Sequence, residues 1–227
     1  VPIQLILGDS IEKLKEFDDC SFDFSIIDPP YLVNIDESPT FSKVWESRVD
    51  SDHTNFDILK EIFFQIERVL RPGAHCYVFF PMLRYVEMME MLQEVRLWHS
   101  AIPLIWVKST SNTIHPYHQY KLRYESIFFC SKGTPKPFTC EGVPDNVFIH
   151  QSPSKRVHPT EKPVSLIKEL IEVCSVREEI GLDCFGGSGT FGVACIEMGR
   201  RAVIIEKDLE YYTLAWKRIF SLRPHQS

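Results

Sequence analysis

Phe24-Ser25-Ile26-Ile27-Asp28-Pro29-Pro30-Tyr31 is the stretch from which the rest of the chain can be read. Its first half is a mostly apolar run of the kind that makes a strand buried on both faces of a parallel sheet. A tetrapeptide at the carboxyl end of such a strand stands where open α/β sheets bind their ligands. Two consecutive prolines have no N–H and a fixed φ, so their carbonyls remain acceptors on a stiff backbone. Asp28 adds an ionised acceptor, and Tyr31 adds a flat ring with a hydroxyl. The set suits a planar group with an exocyclic amine, such as an amino-bearing nucleobase. The alternative at this point is a strand-ending turn with no chemistry.

Outward from this stretch, strands are expected at 3–7, 22–27, 74–80, 101–107, 125–130, 147–149, 180–185 and 202–205. Helices are expected at 10–17, 56–70, 84–93, 163–174, 191–198 and 208–220. Asp9 falls in a strand-to-helix turn as Asp28 falls after a strand, and Ser10 can cap the helix that follows. The alternation predicts a mostly parallel sheet with helices on both faces. Residues 32–55 and 109–122 are long polar loops, the first of a length typical of a functional lid.

A second constellation is Asp183-Cys184-Phe185-Gly186-Gly187-Ser188-Gly189-Thr190, a glycine-rich turn between strand and helix. Glycines there let a ligand approach the backbone, and the helix start offers free N–H groups. Glu206, at the end of the next strand, has the spacing of an acid that binds ribose hydroxyls in a Rossmann-like unit. The Gly-Lys-Ser/Thr phosphate loop is absent and the dinucleotide pattern is incomplete, which leaves another adenosine-bearing ligand. A tight helix-packing turn is the plain structural alternative.

Composition narrows the field. The 227 residues, 44% hydrophobic, suffice for one large α/β domain. No apolar run reaches membrane-spanning length, and the first residues lack the pattern of a signal peptide. Seven scattered cysteines without a Cys-x-x-Cys pair point to reduced thiols in a cytoplasmic protein, with no disulfide framework and no metal site. The net charge is −6, yet 96–162 holds nine Lys/Arg against four Asp/Glu, so a basic face on an acidic body can draw a polyanion.

Taken together, Asp28-Pro-Pro-Tyr31, then His158-Pro-Thr-Glu-Lys-Pro163, then Asp183-x-Phe-x-Gly-Ser-Gly-Thr190 resembles the amino-methylating DNA methyltransferases of the permuted beta class. Leu7-Gly8-Asp9, Trp106-Val-Lys108 and Tyr124-Glu-Ser-Ile-Phe-Phe-Cys-Ser-Lys-Gly133 extend the likeness over nearly the whole chain. It implies a Rossmann-like seven-stranded sheet with circularly permuted motif order and one antiparallel strand, placed at 125–130. It implies S-adenosylmethionine held by Asp9, Thr160, Lys162, Asp183, Phe185, Gly186, Gly187, Ser188, Gly189, Thr190, Glu206, Lys207 and Asp208. Within that set, Glu206 would hold the ribose, Asp9 would lie near the adenine or the methionine amine, and Thr160 and Lys162 would meet the methionine carboxylate.

The same likeness makes Asp28, Pro29, Pro30 and Tyr31 the catalytic group. Asp in the first position goes with adenine N6 in that family, where cytosine N4 types more often show Ser. Double-stranded DNA is the implied partner, with Lys121, Arg123, Lys132, Lys136, Lys155 and Arg156 lining the basic face; a homodimer and a cognate restriction enzyme are compatible with it. Residues 134–157 form a loop-rich insertion, short for a target-recognition region of this class. An N4-cytosine enzyme, an RNA base methyltransferase and a catalytically inactive nucleic-acid-binding subunit stand as alternatives.

Overall fold

The computed structural model describes residues 2–30, 56–108, 123–153 and 161–221. Its framework is a single nine-stranded sheet. In chain order the elements are β1 (Ile3–Leu7), α1 (Ser10–Leu14), β2 (Phe22–Ile27), α2 (Phe56–Val69), β3 (Leu70–Phe80), α3 (Tyr85–Glu94), β4 (Leu97–His99) and β5 (Leu104–Lys108). There follow β6 (Tyr124–Lys132), β7 (Val147–His150), α4 (Val164–Cys174), β8 (Ile180–Asp183), α5 (Thr190–Met198), β9 (Arg201–Glu206) and α6 (Leu209–Phe220). The strand order is β1-β9-β8-β2-β3-β6-β5-β7, with β4 also on β6.

Among the described strands only β6 runs against its neighbours, pairing antiparallel with β3, β4 and β5, while the other pairs are parallel. That is the strand expected at 125–130. The α/β class holds; among the described residues the sheet has nine strands rather than seven. Short β4 and β7 add to it, β4 sharing with β5 the side of β6 opposite β3.

Alternation along the strands explains the two-sided core. In β3, Cys76, Val78 and Phe80 enter one apolar cluster with residues of α1, α2 and α3. Tyr77 and Phe79 enter the other, with residues of α4, α5 and α6. Successive side chains of a strand point to opposite faces, and helices on both faces make both sets buried. β2 is buried at all six positions for the same reason.

Some boundaries differ from the sequence reading. α1 ends at Leu14 rather than at 17, and β8 at Asp183 rather than at 185. Arg71-Pro72-Gly73 does not separate α2 from its strand: β3 already begins at Leu70, which pairs with Phe22. The register between β2 and β3 shifts between Phe22 and Phe24, which accommodates the proline. The lid at 32–55 and the loop at 109–122 lie outside the described residues. Residues 134–153 supply β7, paired parallel with β5.

Candidate functional site

β2 and β8 are adjacent and parallel, with Ser25 opposite Leu182. From β2 the chain crosses by α2 to β3; from β8 it crosses by α5 to β9, on the other face of the sheet. The strand order therefore reverses between β2 and β8, and a crevice opens outside their carboxyl ends at such a point. Asp28 follows β2 at this edge, Asp183 ends β8, and Glu206 ends β9 beside it.

The glycine turn is shaped by its neighbours. A Cβ on Gly186 would stand 2.6 Å from Ile204 Cγ2, and one on Gly189 2.9 Å from Ala215 Cβ, so these two glycines serve close packing. Gly189, with φ +75°, also caps α5. Gly187 differs: at φ +48° its nearest contact would be Phe185 O, 3.8 Å away. The backbone is open to a ligand there, as a cofactor cradle requires.

Glu206 is half-buried at that opening. Its Oε2 accepts from Gly187 N–H at 2.6 Å and its Oε1 from Asp208 N–H at 2.8 Å. Burial raises its pKa, these N–H groups pull it back, and the Asp208 charge raises it again. Asp183 is buried and its pKa is pushed up to about 7 by desolvation; the Phe185 N–H, 2.9 Å from Oδ1, opposes this, while the charges of Asp28 and Glu206 add to it.

Other residues named from the sequence have structural partners. Asp9 caps α1 through Ile11 N–H at 3.0 Å, and its Oδ2 lies 3.5 Å from Lys207 Nζ. Asp208 caps α6 by accepting from Glu210 and Tyr211 N–H. The Ser188 and Thr190 hydroxyls are buried, 3.2 Å apart, and both accept from Arg218 Nη1 at 3.1 Å. Ser10 Oγ donates to Cys184 O at 2.6 Å, tying α1 to the end of β8.

Lys162 is the least expected. Its ammonium is buried against Asp28 Oδ2 at 2.5 Å and Glu125 Oε2 at 3.2 Å, and it lies 4.8 Å from the centre of the Phe79 ring. Burial disfavours its charge, but Asp28 and Glu125 outweigh that and hold its pKa above the ordinary lysine value. Lys108 Nζ lies 2.5 Å from Glu125 Oε1. Sequence reading gave Lys162 to the methionine carboxylate, whereas here its ammonium is held by Asp28 and Glu125; it gave no sign of Glu125, nor of Arg218 beside Glu161 and the glycine turn.

Pro29 is buried and Pro30 half-buried. Tyr31, Thr160, Lys121, Lys155 and Arg156 lie outside the described residues. Arg123 is exposed at the edge that carries Asp28, with its Nε 3.2 Å from Lys108 O. Lys132 and Lys136 do not join it. Lys132 closes antiparallel β6, at the opposite edge, 3.1 Å from Arg68 O; Lys136 N–H donates to Gly73 O, and its Nζ lies 3.3 Å from Glu179, just before β8. The reversal of β6 puts them there, so these two share no face with Asp28.

Among the described residues no group of three or more His, Cys, Asp or Glu could hold a metal, and no helix is long and apolar enough to cross a membrane.

A family model described as DNA methylase, of the N6/N4 type, matches residues 22–217. The type II methyltransferase M.HinfI of Haemophilus influenzae is 24% identical over 97% of this chain and 69% of its own length. M.HpaI of Haemophilus parainfluenzae is 27% identical over 96% and 74%. Among solved structures, the M1.HpyAVI–SAM complex superposes with a TM-score of 0.75 at 24% identity, covering 95% of this chain and 99% of that one. The PvuII DNA methyltransferase, cytosine-N4-specific, gives 0.79 at 16% identity, covering 100% and 88%. These last two are likenesses of fold.

Proposed function

The chain belongs to the N6/N4 family of DNA methylases, and from that premise we propose a beta-class enzyme that methylates the N6 amine of adenine in double-stranded DNA. S-adenosylmethionine is the cofactor and supplies, when bound, an electrophilic methyl on its sulfonium. The observation that carries this reading is the neighbourhood of Asp28 and Asp183 at the ends of adjacent parallel strands, with Glu206 one strand further. An acceptor for an amine and an acceptor for a ribose then face one crevice.

In this reading the residues divide the work. Glu206 takes the ribose hydroxyls and the open backbone at Gly187 receives the adenosyl part, with Phe185, Asp183, Asp9 and Lys207 around it. Ser188, Thr190 and Asp208 keep the turn and the start of α6 in shape; Gly186 and Gly189 let the turn pack. Thr160 completes the set on the methionine side.

A base inside a duplex is stacked, so it must flip out to reach Asp28. Tyr31 stacks on it, worth roughly 1–3 kcal/mol. Asp28 and the Pro29 carbonyl accept from the amine hydrogens and draw the nitrogen toward a geometry with an available lone pair. Positive charge develops on that nitrogen only as its new bond forms, so fixed acceptors stabilise the transition state more than the ground state. Holding the reactants in line supplies much of the remaining acceleration. Lys121, Arg123, Lys155 and Arg156 are the cations proposed for the DNA backbone.

Transfer of tritium from labelled cofactor to duplex DNA, single-stranded DNA and RNA, followed by nucleoside analysis, tests this. N6-methyladenine from duplex DNA is expected. Label in N4-methylcytosine would move the enzyme to the cytosine type, label in RNA would change the substrate, and no label anywhere would favour a binding subunit.

A further inference from the structure

Four charged side chains cross the catalytic edge in alternating sign: Lys108 from the end of β5, Glu125 near the start of β6, Lys162 just before α4 and Asp28 just after β2. The successive contacts are 2.5 Å, 3.2 Å and 2.5 Å. β3 lies between β6 and β2 in the sheet, and Lys162 spans it, its ammonium lying near the Phe79 ring. Side-chain exposures are 22% and 20% for Lys108 and Glu125, 5% for Lys162 and 25% for Asp28, so the cation nearest Asp28 is the most deeply enclosed.

We infer that Glu125 is a positioning residue for methyl transfer: it grips Lys162 from the side away from Asp28, and so fixes the ammonium that aims the Asp28 carboxylate at the target amine. This rests on Asp28 being the amine acceptor, as proposed above. A lysine has four rotatable carbons, and one contact leaves its head free to pivot. Two carboxylates and a ring face hold it at a single point. Lys108 does the same for Glu125 from the far side, contacting the other carboxylate oxygen. Burial would raise the pKa of Glu125, but Lys162 and Lys108 together hold it below the ordinary value, and Lys162 is held above its own. Glu125 and Lys162 therefore both stay charged near neutral pH.

The precision demanded of Asp28 gives the row its purpose, since misplacement of a reacting group by about 1 Å can cost about a hundredfold in rate. Glu125→Gln keeps the shape and removes the charge. The expected result is a fall in kcat of fivefold or more on duplex DNA. KM for DNA, and the affinity for S-adenosylhomocysteine measured by calorimetry, should stay within twofold of the parent protein. A smaller fall in kcat, or an equal loss of S-adenosylhomocysteine affinity, overturns the inference. Lys108→Met, at the rim of the row, decides the matter if Glu125→Gln does not fold: a fall of threefold or more in kcat with unchanged S-adenosylhomocysteine binding supports the row, and an unchanged kcat overturns it. A parent protein that transfers no methyl group overturns the functional reading itself, which separates the two failures.

Discussion

Arg218 Nη1 stands 2.7 Å from Glu161 Oε1 and also donates to the Ser188 and Thr190 hydroxyls, joining the last helix, the glycine turn and the residue beside Lys162 at one point. Glu161 is almost fully enclosed, with 4% of its side chain exposed, while Arg218 is exposed to 24%. Removing the guanidinium withdraws a close cation from an enclosed carboxylate. Arg218→Met is therefore expected to lower stability by about 3 kcal/mol. Urea denaturation followed by circular dichroism measures it; a loss below about 1 kcal/mol would show that solvent replaces the guanidinium freely.

Two glycines of the turn, Gly187 and Gly189, should separate by experiment. Gly189→Ala combines a left-handed φ with overlap on Ala215, and should cost about 2 kcal/mol or more in folding stability. Gly187→Ala meets no crowding and should cost about 1 kcal/mol for its φ alone, yet place a methyl where the cofactor is proposed to lie. A melting curve and a cofactor titration on each variant read the two effects. Equal stability losses, with equal cofactor binding, would count against this division.

Asp28 and Glu206 are assigned to different substrates, so their variants should fail differently. Asp28→Ala should abolish methyl transfer and leave cofactor affinity within a few fold. Glu206→Ala should weaken cofactor binding by about 1.5–3 kcal/mol, since ribose hydroxyls lose a charged acceptor. Calorimetric titration beside the transfer assay checks both, and substantial transfer by Asp28→Ala would remove it from the chemistry.

Burial lifts Asp183 from the ordinary aspartate value of 3.8 to about 7. Between those two values the folded protein holds a proton that the unfolded chain has released. Stability from this group is therefore full below the lower value and declines as pH rises toward the upper one. Asp183→Asn should flatten that part of the profile while still accepting the Phe185 N–H. Melting temperatures of both proteins across pH 4 to 8 measure the difference; parallel profiles would show that Asp183 ionises freely.

Much of this is legible in the sequence. Buried runs such as 22–27 and 202–205 announce strands because both faces are covered, and the antiparallel direction of β6 agrees with what the family resemblance implied. What sequence could not carry is pairing across distance. β4 has three residues, Leu97-Trp98-His99, and owes its extended form to β6 rather than to any local pattern. Lys162 and Asp28 are 134 residues apart. Arg218 in a final helical turn reads as a complement to the helix dipole, with nothing in its surroundings to name Glu161. The basic stretch likewise looked continuous along the chain, until a reversed strand carried Lys132 to the far edge.

That reversed strand has one more consequence. β5 ends at Lys108 and β6 begins at Tyr124, and the two ends are clasped by Lys108 N–H donating to Arg123 O at 2.7 Å. Both anchor points of the intervening segment thus sit on the rim where the base is proposed to enter. The pairing of β5 with β6 from Leu104 to Val107 is closed off beneath them, so the scaffold strands are held by contacts that do not depend on what lies between.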